Sequence, residues 1–278
     1  MNTCLVTGAS GFIGSHLCRH LLDAGWDVTA FVLPDEDPVM LAPLRSRLRV
    51  QAIPAEAAGF IRLFSEARYD LVFHLASVFL SEHKPEQIRP MLEANLTFGC
   101  HLLEAMAASG CRLLVNTGTS WQHYENADYN PVNLYAATKQ AFEDLARYYV
   151  EAKGVRMITL KLFDTYGEND PRPKLFPMLA KIAKTQEVLK MSPGEQWVDF
   201  VHVDAVCSQF LAAARRLLRH EVEKAETYGV SSGNPKPLRD VVADYANEHG
   251  VSLNIEWGSR PYREREVMQL WSRFKTLE

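Results

Sequence analysis

The chain has 278 residues, 47% hydrophobic and 23% charged, proportions that supply a core for one large or two modest domains. A formal charge of −4 leaves no basic surplus for a polyanion, which argues against nucleic acid as a partner. No apolar run approaches the ~18 residues of a membrane span, and "MNTCLVTGAS" lacks the basic-then-apolar layout of a secretion signal, so a cytoplasmic protein without membrane association is expected.

In chain order, "TCLVTG" reads as a strand, "GFIGSHLCRHLLDAG" as an amphipathic helix, and "DVTAFVL" as a second strand. Then come "YDLVFHLAS", "EANLTFGCHLLEAMAASG", "CRLLVNTGT", the helix of "NPVNLYAATKQAFEDLARYY", and a buried strand "VRMITLKLFD". Such alternation predicts βαβ units and an α/β, Rossmann-type doubly wound parallel sheet. Beyond Tyr166 the texture changes to a Pro- and Gly-rich loop, "YGENDPRPKLFP". A helix over about 174–184, a hairpin over "VLKMSPGEQWVDFVHV", a helix over 204–220 and a basic tail "RPYRERE" are expected after it. The chain divides accordingly into a dinucleotide-binding domain, residues 1–165 with 196–233 returning to it, and a small C-terminal substrate-binding lobe, 166–195 and 234–278. The five cysteines, Cys4, Cys18, Cys100, Cys111 and Cys207, are odd in number and lack Cys-x-x-Cys spacing, so reduced thiols and no metal site are expected.

"VTGASGFIGSHL" places Gly8, Gly11 and Gly14 between the first strand and the first helix. Missing side chains there let backbone amides and a helix N-terminus approach a pyrophosphate, with Ser10, Phe12 and Ile13 completing the loop. The spacing is GxxGxxG, one residue longer at its start than GxGxxG. An Asp or Glu ~20 residues past the glycines would hold the ribose hydroxyls of NAD. Val32 and Leu33 stand there instead, and Asp35 lies further along, so NADP(H) is weakly preferred over NAD(H), with Arg45 or Arg47 as partners for a 2′-phosphate.

Tyr135 and Lys139 are four apart, hence on one helix face, with Phe142 and Tyr149 continuing the stripe. A free phenol, with a pKa near 10, is a poor acid–base at neutral pH. A neighbouring ammonium is expected to lower that value by roughly 1–3 units and so bring the phenol into use. "NTGTS", Asn116 to Ser120, closes the preceding strand at its C-terminal end, where α/β sheets place their sites.

The glycine loop, "HLAS", Asn95 in "ANLTFG", the Thr/Ser-rich strand end and Tyr-x-x-x-Lys, in this order, resemble the extended short-chain dehydrogenase/reductase family of nucleotide-sugar enzymes. The resemblance implies Tyr135 as acid–base, Lys139 as the group that orients the nicotinamide ribose, and Leu75, Ala76, Ser77 and Asn95 beside the coenzyme. It makes Thr119 the best candidate for the hydroxyl partner, with Thr117 and Ser120 still open, and leaves His74 packed in the sheet.

Dehydratases of the family carry Asp-Glu after the catalytic Thr, because elimination needs a second acid and base; here Ser120, Trp121 and Gln122 follow, which disfavours dehydration. "NTGTSWQHYENADYNPVNLYAATKQAFED", "KLFDTYGENDPRPKLFP" and "RPYREREVM" look similar to the branch of CDP-abequose and CDP-paratose synthases and related 4-ketoreductases. That likeness implies NAD(P)H-dependent reduction of a nucleotide-linked 4-keto-6-deoxy sugar. A nucleotide-sugar epimerase with tightly bound NAD is the alternative, and a non-catalytic NAD(P)-binding protein a further one. Arg172, Lys174, Arg260 and Arg263 are candidates for the sugar-nucleotide diphosphate, and Trp121, Gln122 and His123 for the sugar pocket. Lys161 and Asp164 stand where relatives usually show Arg and Asn. The family also leads one to expect a helix beyond Glu278, and a homodimer through "LLEAMAAS" and the Tyr135 helix.

Overall fold

The computed structural model describes residues 1–277. Six strands, β1 (Thr3–Thr7), β2 (Asp27–Val32), β3 (Arg49–Ala52), β4 (Leu71–His74), β5 (Leu113–Thr119) and β6 (Arg156–Leu162), form one parallel sheet. Four short strands follow, β7 (Asp164–Tyr166), β8 (Leu189–Met191), β9 (Trp197–Val198) and β10 (Phe200–His202). Then β11 (Ala225–Val230) returns to the outer edge beside β6. The order is β11-β6-β5-β4-β1-β2-β3, so the winding reverses between β1 and β4, where an open α/β sheet has its crevice.

Side-chain alternation explains the two cores. Along β1, Cys4 and Val6 face one apolar cluster and Leu5 the other. Helices α1 (Phe12–Asp23) and α7 (Val203–Leu218) cover the first face. The second is covered by α2 (Ala57–Glu66), α4 (Phe98–Ser109) and α5 (Leu134–Lys153). Short α3 (Ile88–Leu92) runs into α4 through a π-helical turn, Glu93–Thr97, whose buried member is Asn95. Asn133 caps α5, its side chain accepting from Ala136 N at 2.9 Å, which fixes where the Tyr135 face begins. Phe142 and Tyr149 are buried along that face as the helical spacing predicts.

The expected hairpin does not form. β8 pairs in parallel with β13 (Ile255–Trp257), β9 pairs antiparallel with β12 (Lys236–Pro237), and β10 pairs in parallel with β7. Each strand therefore finds a partner from a distant segment, a choice set by long-range packing that local turn chemistry does not carry. These strands, α6 (Leu175–Thr185) and α8 (Leu238–His249) share a third apolar cluster around Leu179 and Val242, separate from the two that line the sheet.

Candidate active site

At the crevice, Gly8 has φ +65° and a Cβ added there would meet Ala76 N at 2.8 Å. One added to Gly14 would lie 2.0 Å from Gly8 O. Gly11 caps α1 without a side-chain hydrogen bond, and no acidic residue occupies the first turn, so the helix N-terminus presents free amides to the cleft. These features fit the pyrophosphate of a dinucleotide. The Thr7 hydroxyl accepts from Leu75 N and Ala76 N, both at 3.1 Å, and lies 2.9 Å from His74 Nδ1, which pins the "HLAS" loop beside the glycines. His74 is buried between Phe98 and Phe142, and burial pushes its pKa down to about 3.

The cleft is lined by Gly8, Gly11, Phe12, Ile13, Gly14, Leu75, Ser77, Thr117, Thr119, Ser120, Trp121, Tyr135, Lys139, Arg172 and Lys174 from the sequence expectations. Phe79, Leu162, Phe163, Asp164 and Thr165 also line it. Ser10 and Ala76 stand beside the glycine loop without facing the cleft. Asn95 acts from behind: its Oδ1 accepts from Ser77 Oγ at 3.1 Å and Val78 N at 2.7 Å, while its Nδ2 donates to Val78 O and Thr138 Oγ1. It therefore holds the loop after β4 against α5 and does not reach into the cleft.

Tyr135 and Lys139 enter the cleft together, but the expected drop in the phenol pKa does not follow. Burial pushes Tyr135 up to about 12, with the Ser77 hydroxyl offsetting part of the rise, and burial pushes Lys139 down to about 8, opposed by the charge of Glu143. Low dielectric disfavours the charged form of each. The two side chains thus stand as a neutral phenol and a readily titrated ammonium. Glu143, one further turn along α5, is held by Gln122 Nε2 at 2.8 Å and lies 3.8 Å from the buried Lys161 ammonium.

Three hydroxyls converge from the end of β5. Thr119 Oγ1 accepts from Trp121 N at 3.3 Å, whereas Thr117 Oγ1 is buried without a partner among the described residues. Ser120 lines the same wall. Gln122 is fully buried behind that wall, accepting from Thr119 N and donating to Gln140 and Glu143. It braces the strand end and does not line a sugar pocket. His123 is likewise turned inward, stacked on Trp271 at 3.9 Å with Nε2 2.8 Å from Lys161 Nζ.

Of the four cations expected on the substrate side, Arg172 lies 4.5 Å over Phe12 and is held by the buried Asp170 through two 2.7 Å bonds. Lys174 sits 4.7 Å over Phe79 and 3.7 Å from Asp164. Arg263, paired with Glu266, stacks 5.4 Å over Trp121. Arg260 is exposed away from the cleft, its backbone N–H donating to Met191 O. Arg45 and Arg47 are also spoken for, paired with Asp37 at 2.6 Å and Asp23 at 2.8 Å, while Glu36 accepts from Leu33 N just past β2. Sequence reasoning missed Phe79, Asp170 and Glu143. The 135, 139, 143 spacing was the available signal for Glu143.

A doubly wound sheet whose first βα turn cradles an anion, and whose crevice sets a phenol and an ammonium on one helix face, defines an NAD(P)-dependent α/β oxidoreductase of the extended short-chain type. The chain belongs to the NAD dependent epimerase/dehydratase family, which it matches over residues 4–228. It is 28% identical to a CDP-abequose synthase of Salmonella muenchen over 268 residues, 95% of this chain and 87% of the relative. It is 24% identical to a UDP-glucose 4-epimerase of Pisum sativum, covering 91% and 83% of the two chains. Among solved structures, MoeE5 in complex with UDP-glucuronic acid and NAD superposes with a TM-score of 0.76 at 26% identity, covering 96% of this chain and 88% of that one. The UDP-glucose 4-epimerase of Brucella ovis in complex with NAD shares the fold, with a TM-score of 0.84 at 19% identity and coverage of 96% and 88%.

Proposed function

We propose that the protein reduces the C4 carbonyl of a nucleotide-linked 4-keto-6-deoxy sugar, with residues 166–195 and 234–268 forming the lobe that holds the sugar nucleotide. The observation that carries this reading is the convergence of the Tyr135 phenol, the Lys139 ammonium and the hydroxyls at the end of β5 on one cleft beside the glycine loop. Burial raises the Tyr135 pKa, which favours the neutral phenol that donates a proton to an alkoxide. The likeness to a CDP-abequose synthase supports the same direction. The carboxylate lining the cleft, Asp164, is turned to Lys174, which leaves no free acid–base pair for dehydration.

The glycine loop and the first turn of α1 hold the coenzyme's pyrophosphate, and Lys139 its nicotinamide ribose. When bound, the reduced nicotinamide supplies hydride. Thr119 or Thr117 hydrogen-bonds the carbonyl oxygen, Tyr135 gives its proton to the developing alkoxide, and the Lys139 ammonium stabilises the phenolate left behind. Thr119 accepts from Trp121 N and so keeps its O–H free to donate to the carbonyl, whereas the Thr117 oxygen is buried. The Trp121 indole and the Arg172, Lys174 and Arg263 cations receive the sugar nucleotide. NAD(H) fits the end of β2 better than NADP(H), since Arg45 and Arg47 are each paired with a carboxylate and Glu36 places another there that would repel a 2′-phosphate. We also infer a homodimer through α4 and α5.

The test is coenzyme absorbance with purified protein, NADH or NADPH, and CDP-, dTDP- and GDP-linked 4-keto-6-deoxy sugars. Stoichiometric oxidation of NADH by one of them is expected. Interconversion of sugars without net coenzyme consumption would replace this reading with epimerisation.

A further inference from the structure

We propose that Phe79 selects the substituent next to the reacting carbon, favouring a methyl over a hydroxymethyl group, and so distinguishes 6-deoxy from 6-hydroxy sugars; this rests on the 4-ketoreductase reading of the cleft. Phe79 is 44% exposed, an unusual state for a phenyl ring that lines a cleft. Its edge meets the Tyr135 ring at 4.9 Å, and the Trp121 indole lies 5.7 Å away.

The exposure is not that of a loose loop. On one side, Asn95 bonds both backbone groups of Val78. On the other, Asn133 Nδ2 donates to Leu80 O at 3.3 Å and Ser81 O at 2.9 Å. Asn133 is also the cap of α5, so one side chain fixes Phe79 and Tyr135 in the same frame. A ring clamped on both flanks, touching the proton donor and still half open, presents apolar surface to whatever occupies the cleft.

In a hexose the C4 oxygen would face Tyr135, and C6 hangs from C5, the carbon bonded to C4. A group on C6 therefore stands beside the reacting centre, where Phe79 and Trp121 supply aromatic carbon. A methyl placed there leaves water favourably. A hydroxyl there loses water partners against aromatic carbon and meets at best the Lys174 ammonium over the Phe79 ring, which it would share with Asp164. Apolar walls discriminate such a pair by roughly 10–100-fold in kcat/KM.

The experiment compares wild type, Phe79→Ala and Phe79→Leu on two matched nucleotide-linked 4-keto sugars, one with a methyl and one with a hydroxymethyl at C5. Coenzyme affinity and Tm are measured for each protein. Wild type is expected to favour the methyl sugar by roughly 10–100-fold. Phe79→Ala should bring the ratio close to one by losing rate on the methyl sugar alone, and Phe79→Leu should keep most of the preference. An unchanged ratio in Phe79→Ala, or an equal loss on both sugars accompanied by weaker coenzyme binding, overturns the selector role and leaves the ketoreductase standing. If wild type reduces neither sugar, the ketoreductase reading fails and the selector falls with it.

Discussion

Tyr135 and Lys139 were legible because an i, i+4 pair shares a face whatever the rest of the chain does. Their charge states were not, because burial depends on β5, β4 and the glycine loop closing over them. Tyr135→Phe keeps the ring and its contacts with Phe79, so coenzyme binding should persist while turnover falls by about 10²–10⁴-fold, the usual worth of a positioned general acid. Turnover within a few-fold of wild type would remove Tyr135 from its role. Burial sets the pH window, and Glu143 moderates it. Lys139 is pushed down to about 8, and the Glu143 charge is what holds it from falling further. Reductive turnover needs the ammonium, so the rate should be level below about 8 and decline as pH rises through that value. Of the other groups around the pair, His74 is neutral, while burial lowers the Lys161 pKa and raises that of Glu143 against their mutual attraction. Glu143→Gln removes the supporting carboxylate, so the alkaline limb of kcat should move to lower pH. A profile that does not move would show that Glu143 does not govern Lys139. The residue escaped sequence reasoning in this respect because its partners, Gln122 and Lys161, come from other segments.

Among elements, the parallel strands and the helices of the sheet follow from composition and period, and the segment after Trp257 does not. It read only as a basic tail, yet Trp271 is buried in the sheet's core cluster, stacked at 3.9 Å on His123 and 5.8 Å from Lys161 Nζ. No periodicity announces this contact, because the segment around Trp271 has no regular structure and its partners lie far back in the chain. Phe274 packs against Phe163 and Trp271, and Lys275 O accepts from Gly229 N, so the tail is sewn to β11 and to the end of β6. Trp271→Ala should cost about 3–5 kcal/mol, the range for truncating a buried indole, measured by urea unfolding. The same change should raise KM for the sugar nucleotide more than it affects coenzyme binding, since His123, which braces the segment behind Trp121, stacks on Trp271, and the glycine loop does not. Equal effects on both ligands would place the tail's role in global stability alone.

For the whole molecule, the sequence pointed to "LLEAMAAS" and the Tyr135 helix as faces through which two copies meet. Packing narrows what α4 can offer: Leu102, Leu103, Ala105 and Met106 are buried in the molecule's own core, which leaves Cys100, His101, Glu104 and Ala108 on its outward face. What remains outward on α5 is Leu145, 42% exposed, and Tyr148, 56% exposed, with Ile88 and Leu92 of α3 also open. Apolar side chains left exposed along one helix are the composition of an interface core. A dimer built there would clamp α5 from outside and so stiffen the helix that carries Tyr135 and Lys139. Light scattering should give twice the 31.4 kDa mass of one chain. Leu145→Asp combined with Tyr148→Glu should give a monomer, because both changes replace apolar contact surface with carboxylates that would be desolvated against their symmetry mates. If α5 needs that clamp, the monomer should also turn over more slowly at unchanged coenzyme affinity. A wild-type protein with the mass of a single chain would dispose of the dimer, and a dissociated variant with full turnover would confine the interface to assembly.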